Sequence, residues 1–347
     1  MQRGLGGGEW PLPWMPVPVD SPIQSRSPVI PITVNGANPV LFLGTQAGTL
    51  YAVDATSGGP PTPFPRPPTA IGTGGQAAPA GIFTAFLGNF DYLLVGTRQP
   101  DNQFVAFDPM TLTEVDRFDN GGLGNEIGVI DSMASVTYDS DRVYFTSHAH
   151  PTGSDHTMWC LNLPGSVLPT FSLQWSQPLG DIFSSPVLRG NHVYVGTLVD
   201  GGRVYGLHRD DGNPDSSFLH GDGQVKGFVW PDRDSNDLYF ATDNFVWGVT
   251  DTGAVSMTDK FSGGINLGGG VVPTSAVLFV PGSHYLYVGG SDGKLYEIDV
   301  LGPTIKSVTL GDGLAAVGSP SLDIEYDLIH VGTEAGIFYA VKVPFLP

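Results

Sequence analysis

Residues 193–212 read VYVGTLVDGGRVYGLHRDDG: a β-branched and aromatic run ending in Gly196-Thr197, a short polar turn, and a second run through Val204, Tyr205 and Leu207. Six further stretches repeat this plan. Clear copies begin at Val40 (VLFLGTQAGTLYAVDATSG), Tyr92 (YLLVGTRQPDNQFVAFDPMT), Leu286 (LYVGGSDGKLYEIDVLG) and Ile329 (IHVGTEAGIFYAVKV). Degenerate copies begin at Val143 (VYFTSHAHPTGSDHTMWCLNLPG) and Leu238 (LYFATDNFVWGVTDTG). Successive copies are spaced by roughly 40–50 residues, the length of a four-stranded unit in a radial array. The expected fold is all-β: a seven-bladed β-propeller of four-stranded antiparallel blades.

The fourth copy lays out one unit. IFSSPVLRG (182–190), HVYVGTL (192–198), RVYGLHR (203–209) and SSFLHG (216–221) are four short strands joined by tight turns. Such a sheet leaves both faces bare and is stable only when stacked on its neighbours. Alternation assigns Val193 and Val195 to one face and Tyr194 and Gly196 to the other. The glycine closing the second strand, Gly44, Gly96, Gly196, Gly289 or Gly332, is expected to serve a turn with positive φ. First strands are led by Ser27-Pro28, Ser185-Pro186 and Ser319-Pro320, where no ladder donor is needed. Blades are expected to start near 27, 78, 130, 182, 225, 273 and 317 within one domain spanning 1–347. Their seven first strands would line a central channel.

The ends predict how such a ring closes. The last copy stops at YAVKVPFLP without material for a fourth strand. Residues 1–26 carry Trp10, Trp14 and Val17 and are expected to supply that strand. Pro11, Pro13, Pro16 and Pro18 fit only an outermost edge.

Composition narrows the function. The 347 residues include 48 glycines and 30 prolines, which punctuate short strands, and no stretch keeps a 3.6-residue apolar rhythm of helical length. With 34 acidic against 15 basic residues the net charge is −19, which argues against binding nucleic-acid phosphates. Cys160 is the one cysteine, so there is no internal disulfide, haem attachment or cysteine-based zinc cage; between Trp159 and Leu161 it reads as a buried small hydrophobe. MQRGLGGGEWPLPWMPVPVD has neither the apolar core of a signal peptide nor a membrane span. Either the protein is cytosolic or a leader has been removed. Low lysine content and Gly/Pro/Thr-rich loops suit a bacterial periplasmic, cell-surface or secreted domain.

Ser185-Pro186-Val187, Val193 to Thr197, Leu50-Tyr51-Ala52-Val53-Asp54 and Asp292-Gly293-Lys294-Leu295-Tyr296 together resemble the pyrroloquinoline-quinone-like repeat family of β-propellers. The likeness covers nearly the whole chain and is strongest in copies one, four, six and seven. That family holds quinone-dependent dehydrogenases, outer-membrane assembly lipoproteins and many binding or scaffold domains, so it specifies fold better than activity. For the alcohol-oxidising enzymes the resemblance implies a vicinal Cys-Cys pair, which a lone Cys160 excludes, and they use eight blades. For the soluble sugar-oxidising kind it implies a histidine base and an Arg/Lys-rich quinone pocket, which the sparse basic residues do not obviously provide. The chain therefore resembles the non-enzymatic branch.

Two loops carry candidate metal ligands. His148, His150, Asp155 and His156 fall in the insertion HAHPTGSDH, where neutral imidazoles could take Zn²⁺, Cu²⁺ or Ni²⁺, although a solvated loop is the plainer reading. Asp232, Asp234 and Asn236 in PDRDSNDLYF look like the first half of a Ca²⁺ loop without its glycine and bidentate glutamate; their turn-forming chemistry accounts for them equally well. There is no Gly-x-Ser-x-Gly elbow in a strand-to-helix setting, no His-Glu-x-x-His and no phosphate-cradling Gly-Lys-Ser/Thr. Gly263-Gly264 and Gly268-Gly269-Gly270 read as a connecting loop. Trp175, Phe183, Trp230 and Trp247 read as packing between blades rather than exposed stacking surfaces. The expected function is non-catalytic: a protein-binding or scaffold module without a bound cofactor, presenting one rim to another protein. The competing class is an enzyme, a quinone-dependent dehydrogenase or a glycan-acting lyase or hydrolase, with its site at the channel mouth.

Overall fold

The computed structural model describes residues 30–32, 40–45, 47–54, 68–71, 82–87, 90–98, 102–121, 127–137, 139–148, 156–163, 170–324 and 326–345. The closing segment 1–26 lies outside them. Seven sheets form among these residues, spanning 30–70, 82–118, 135–177, 187–219, 230–259, 278–309 and 321–342, and are numbered 1 to 7 here. In each, strands neighbour one another in chain order; sheets 1 to 6 have four strands and sheet 7 has three. No α-helix occurs among the described residues.

Sheet 4 follows the alternation of its sequence. Its strands are Val187–Arg189, His192–Thr197, Arg203–His208 and Pro214–Leu219. The second and third pair antiparallel from His192 opposite His208 to Thr197 opposite Arg203. Val193, Val195 and Leu207 pack with Tyr144, Met158 and Cys160 on one side. Tyr194 and Val204 join Val229, Leu238 and Phe240 on the other. One side chain in two thus serves each neighbouring sheet, as the period of a strand requires.

By contacts the chain divides into two compact units, and the division runs through sheet 3. The first holds sheets 1 and 2, whose second and third strands share a core of Phe42, Leu50, Leu93, Val95, Val105 and Phe107. The second holds sheets 4 to 7. Between sheets 5 and 6 lie Tyr239, Ala241, Leu286, Val288 and Ile298, and between sheets 6 and 7 lie Tyr287, Leu295, Ile329 and Val331. Cys160 is buried. Each fully buried aliphatic or aromatic side chain contributes about 1.5–3 kcal/mol, so the stacking faces dominate stability.

The glycine closing the second strand has a different reason from the expected turn. Gly44, Gly96, Gly196, Gly289 and Gly332 are absent from the positive-φ residues, whereas Gly48, Gly293 and Gly336 in the following turn have φ between 70° and 83°. A Cβ on Gly196 would lie 2.2 Å from Val225 Cγ2, and one on Gly96 would lie 2.3 Å from Ile130 Cγ2. On Gly289 it would meet the Val317 carbonyl oxygen at 2.2 Å. The missing side chain lets the connection to the next sheet cross the strand end.

In sheets 2 and 4 the residue after that glycine is a buried threonine that fastens the turn, and in sheet 5 Thr242 does so after Ala241. Thr97 Oγ1 accepts from Gln103 N at 2.5 Å, Thr197 Oγ1 from Val199 N at 3.2 Å, and Thr242 Oγ1 from Trp247 Nε1 at 3.0 Å. Trp175 and Trp247 are buried, as their spacing predicts, while Trp230 and Phe183 are partly exposed. Gly263-Gly264 and Gly268 to Gly270 lie on the connection between Asp259 and Leu278.

Candidate functional site

The histidine insertion follows the second strand of sheet 3. His148 is buried, its ring 4.0 Å from that of Phe183. His156 directs Nδ1 at Ser176 Oγ, 2.7 Å away on the fourth strand. The two described rings therefore have different packing partners, and His150 and Asp155 lie outside the described residues.

The acidic loop of sheet 5 closes on itself. Asp232 Oδ1 accepts from Asp234 N at 3.0 Å and its Oδ2 from Ser235 Oγ at 2.6 Å, which folds the hairpin turn. Asn236 Oδ1 accepts from Arg189 Nη2 at 3.1 Å, and the same guanidinium donates to the Ser235 carbonyl. Asp237 is buried beneath this loop, 2.5 Å from both Lys260 Nζ and Thr250 Oγ1. Burial opposes its charge, but the bonds from Lys260, Thr250 and Ser235 outweigh burial and hold its carboxyl below the usual range. Among the described residues, no three His, Cys, Asp or Glu side chains stand together as a metal-binding group.

A second polar cluster escaped the sequence reading. Asp222, on the connection from sheet 4 to sheet 5, accepts from the Thr242 hydroxyl, Asn244 N at 3.1 Å, Asn244 Nδ2 at 2.6 Å and Phe245 N at 3.2 Å. It clamps the second hairpin of sheet 5. Asp243 in that hairpin reaches back to Lys226 Nζ at 2.5 Å and Gln224 N at 3.2 Å. His220 Nδ1 accepts from Asp222 N at 3.2 Å, while its buried Nε2 finds no hydrogen-bond partner among the described residues. Burial pushes the His220 pKa down to about 4 despite the opposing pull of Asp222 and Asp243. The signal was the Gly-Asp-Gly at 221–223, repeated at 311–313 in the connection from sheet 6 to sheet 7.

A concave feature lies between the first hairpins of sheets 6 and 7. It encloses about 290 Å³ and is walled by Tyr285, Tyr287, Leu322 and Pro344, with Asp327 at its edge. The acidic loop and the Asp222 cluster are turns fastened by carboxylates, and the recess is small and apolar.

No family model matches the sequence, and no curated protein matches it. Solved structures do match. BamB from Moraxella catarrhalis superposes with a TM-score of 0.63 at 13% identity, covering 92% of this chain and 85% of BamB. The β-propeller domain of Cps50 (Swd1) from Myceliophteria thermophila gives 0.58 at 11% identity, covering 87% of this chain and 94% of that domain. With the stack of four-stranded antiparallel sheets, these likenesses define the chain as a β-propeller. At such identities they speak for the fold alone, and 1327 solved chains share the likeness, so it selects no activity.

Proposed function

We propose that this protein is a non-catalytic binding or scaffold propeller of seven blades that presents one rim to another protein outside the cytoplasm. What carries the reading is the use made of its buried and half-buried polar side chains. Asp222 clamps a neighbouring hairpin, Asp237 holds Lys260 and Thr250, and Asp251 receives Tyr194 and Ser216. These groups are engaged in holding sheets and turns together, which suits a rigid support for rim loops. The extracytoplasmic assignment rests on composition alone. Among the described residues no helix is long and apolar enough to cross a membrane, which says nothing of membrane-spanning strands.

The same proposal has residues 1–26 supply the fourth strand of the last blade, whose described part has three. Removing residues 1–20 should then lower the melting temperature by several degrees; an unchanged melt contradicts that closure. Affinity capture from the native organism with identification by mass spectrometry tests the binding function. A reproducible near-stoichiometric partner is the expected result. Dye reduction by the purified protein with pyrroloquinoline quinone, Ca²⁺ and an alcohol or sugar would instead favour the enzyme.

A further inference from the structure

The recess between sheets 6 and 7 has a wall fixed before any ligand arrives. Tyr287 donates its hydroxyl to Glu297 Oε2 at 2.7 Å and packs its ring edge-on against Phe345, with centroids 5.6 Å apart. Phe345 N donates to the same carboxylate oxygen at 2.7 Å, which pins the C-terminal segment that carries Val343 and Pro344 into the lining. A preformed apolar wall binds with little ordering cost.

The rim departs from an ordinary hairpin. Ile324, which lines the recess, is 75% exposed, and Tyr326, next to Asp327 in the chain, is 54% exposed. Exposed large apolar groups rimmed by polar ones mark interaction surfaces. The charged side chain in the lining is acidic. Asp327 lines the recess, and its 3.1 Å pair with Lys342 is exposed on both sides, hence weak and open to exchange. Asp299 lies 3.6 Å from His284, whose ring is 4.2 Å from that of Tyr285. The volume of about 290 Å³ falls just below the ~300–1,000 Å³ of small-molecule sites, which is room for one large side chain.

We propose that this recess docks a protein segment presenting one bulky aromatic or aliphatic side chain beside a lysine or arginine. The anchor enters between the tyrosines and Leu322, and the cation takes the place of Lys342 at Asp327 or lies against a tyrosine face. The proposal rests on the scaffold reading and adds the surface and the chemistry of its partner.

The test uses the full-length protein and three dye-labelled, acetylated pentapeptides read by fluorescence anisotropy: Gly-Lys-Trp-Lys-Gly, Gly-Glu-Trp-Glu-Gly and Gly-Lys-Ala-Lys-Gly. The first should bind at least tenfold tighter than either other. Ile324→Arg, at an exposed position, should weaken it at least tenfold. Asp327→Asn should weaken it severalfold and flatten its salt dependence; asparagine tolerates the φ of 50° found there. Equal binding of the alanine peptide would mean attraction to net charge only, and equal binding of the glutamate peptide would remove the basic component. Either result overturns the proposal, as does no binding or indifference to both variants. Those failures leave the scaffold reading to the capture experiment, which detects a partner on any face.

Discussion

The hydroxyl of Tyr194, in the second strand of sheet 4, donates a 2.7 Å hydrogen bond to Oδ2 of Asp251 just after the third strand of sheet 5. Ser216 Oγ reaches the same oxygen at 3.1 Å, and Gly253 N reaches Oδ1 at 3.0 Å. Both Tyr194 and Asp251 are buried, so the bond joins two sheets where water does not compete. Burial first, then the Asp251 carboxylate, push the phenol well above its ordinary range. Tyr194→Phe should therefore cost about 1.5–3 kcal/mol, the range for hydrogen bonds to charged groups, read as a lower midpoint in urea at unchanged slope. An unchanged midpoint would show that the sheets are held by apolar packing alone.

The strand-end glycines give a graded prediction. Gly196→Ala forces a Cβ toward Val225 and should destabilise by about 1–3 kcal/mol through overpacking. Among the described residues a Cβ on Gly332 meets nothing within 4 Å, and Gly332→Ala should be neutral or slightly stabilising because alanine orders a strand at lower entropic cost. Combining Gly196→Ala with Val225→Ala should recover part of the loss, a coupling expected only if the two groups meet. Equal melting temperatures for the two glycine variants would remove the close-approach account.

His220 predicts a pH dependence. Its folded pKa, about 4, lies below the ordinary 6.5, so the unfolded chain binds the proton more readily. Stability from this group is complete above about pH 6.5, falls as the pH drops toward 4, and levels off below. The full effect is at most about 3 kcal/mol at 1.36 kcal/mol per unit. Denaturation of wild type and His220→Phe from pH 7 to pH 4 should show a shallower slope for the variant. Parallel curves would mean that His220 is not buried in its neutral form.

The metal loops are tested by calorimetry on chelator-treated protein. His148 packed on Phe183, His156 bonded to Ser176, and the Asp232 carboxylate spent on its own turn predict no micromolar binding of Zn²⁺ or Ca²⁺. A micromolar isotherm lost in His148→Ala or Asp232→Ala would reinstate the corresponding site.

What could be read from the sequence follows from where each determinant lies. Val193, Tyr194 and Val195 declare their strand by local alternation, and the four strands of sheet 4 fall within a few residues of their expected places. Gly196 was visible as a recurring glycine but not for its reason, because Val225, which occupies the space, lies on the connection to the next sheet. Asp222 reads locally as a turn former, yet its partners Thr242, Asn244 and Phe245 are supplied by the following repeat. The recess was hidden for the same reason. Tyr285 and Tyr287 look like ordinary strand residues until Leu322, Ile324 and Pro344 are brought opposite them by stacking.

The central claim is that this propeller acts by holding a protein partner. The most direct measurement is quantitative mass spectrometry of material captured on the tagged full-length chain from its native organism, beside an untagged control. The account predicts one or a few proteins enriched in every replicate at near-stoichiometric amounts. Recovery of the chain alone, together with quinone-dependent dye reduction or glycan cleavage by that same preparation, would contradict it.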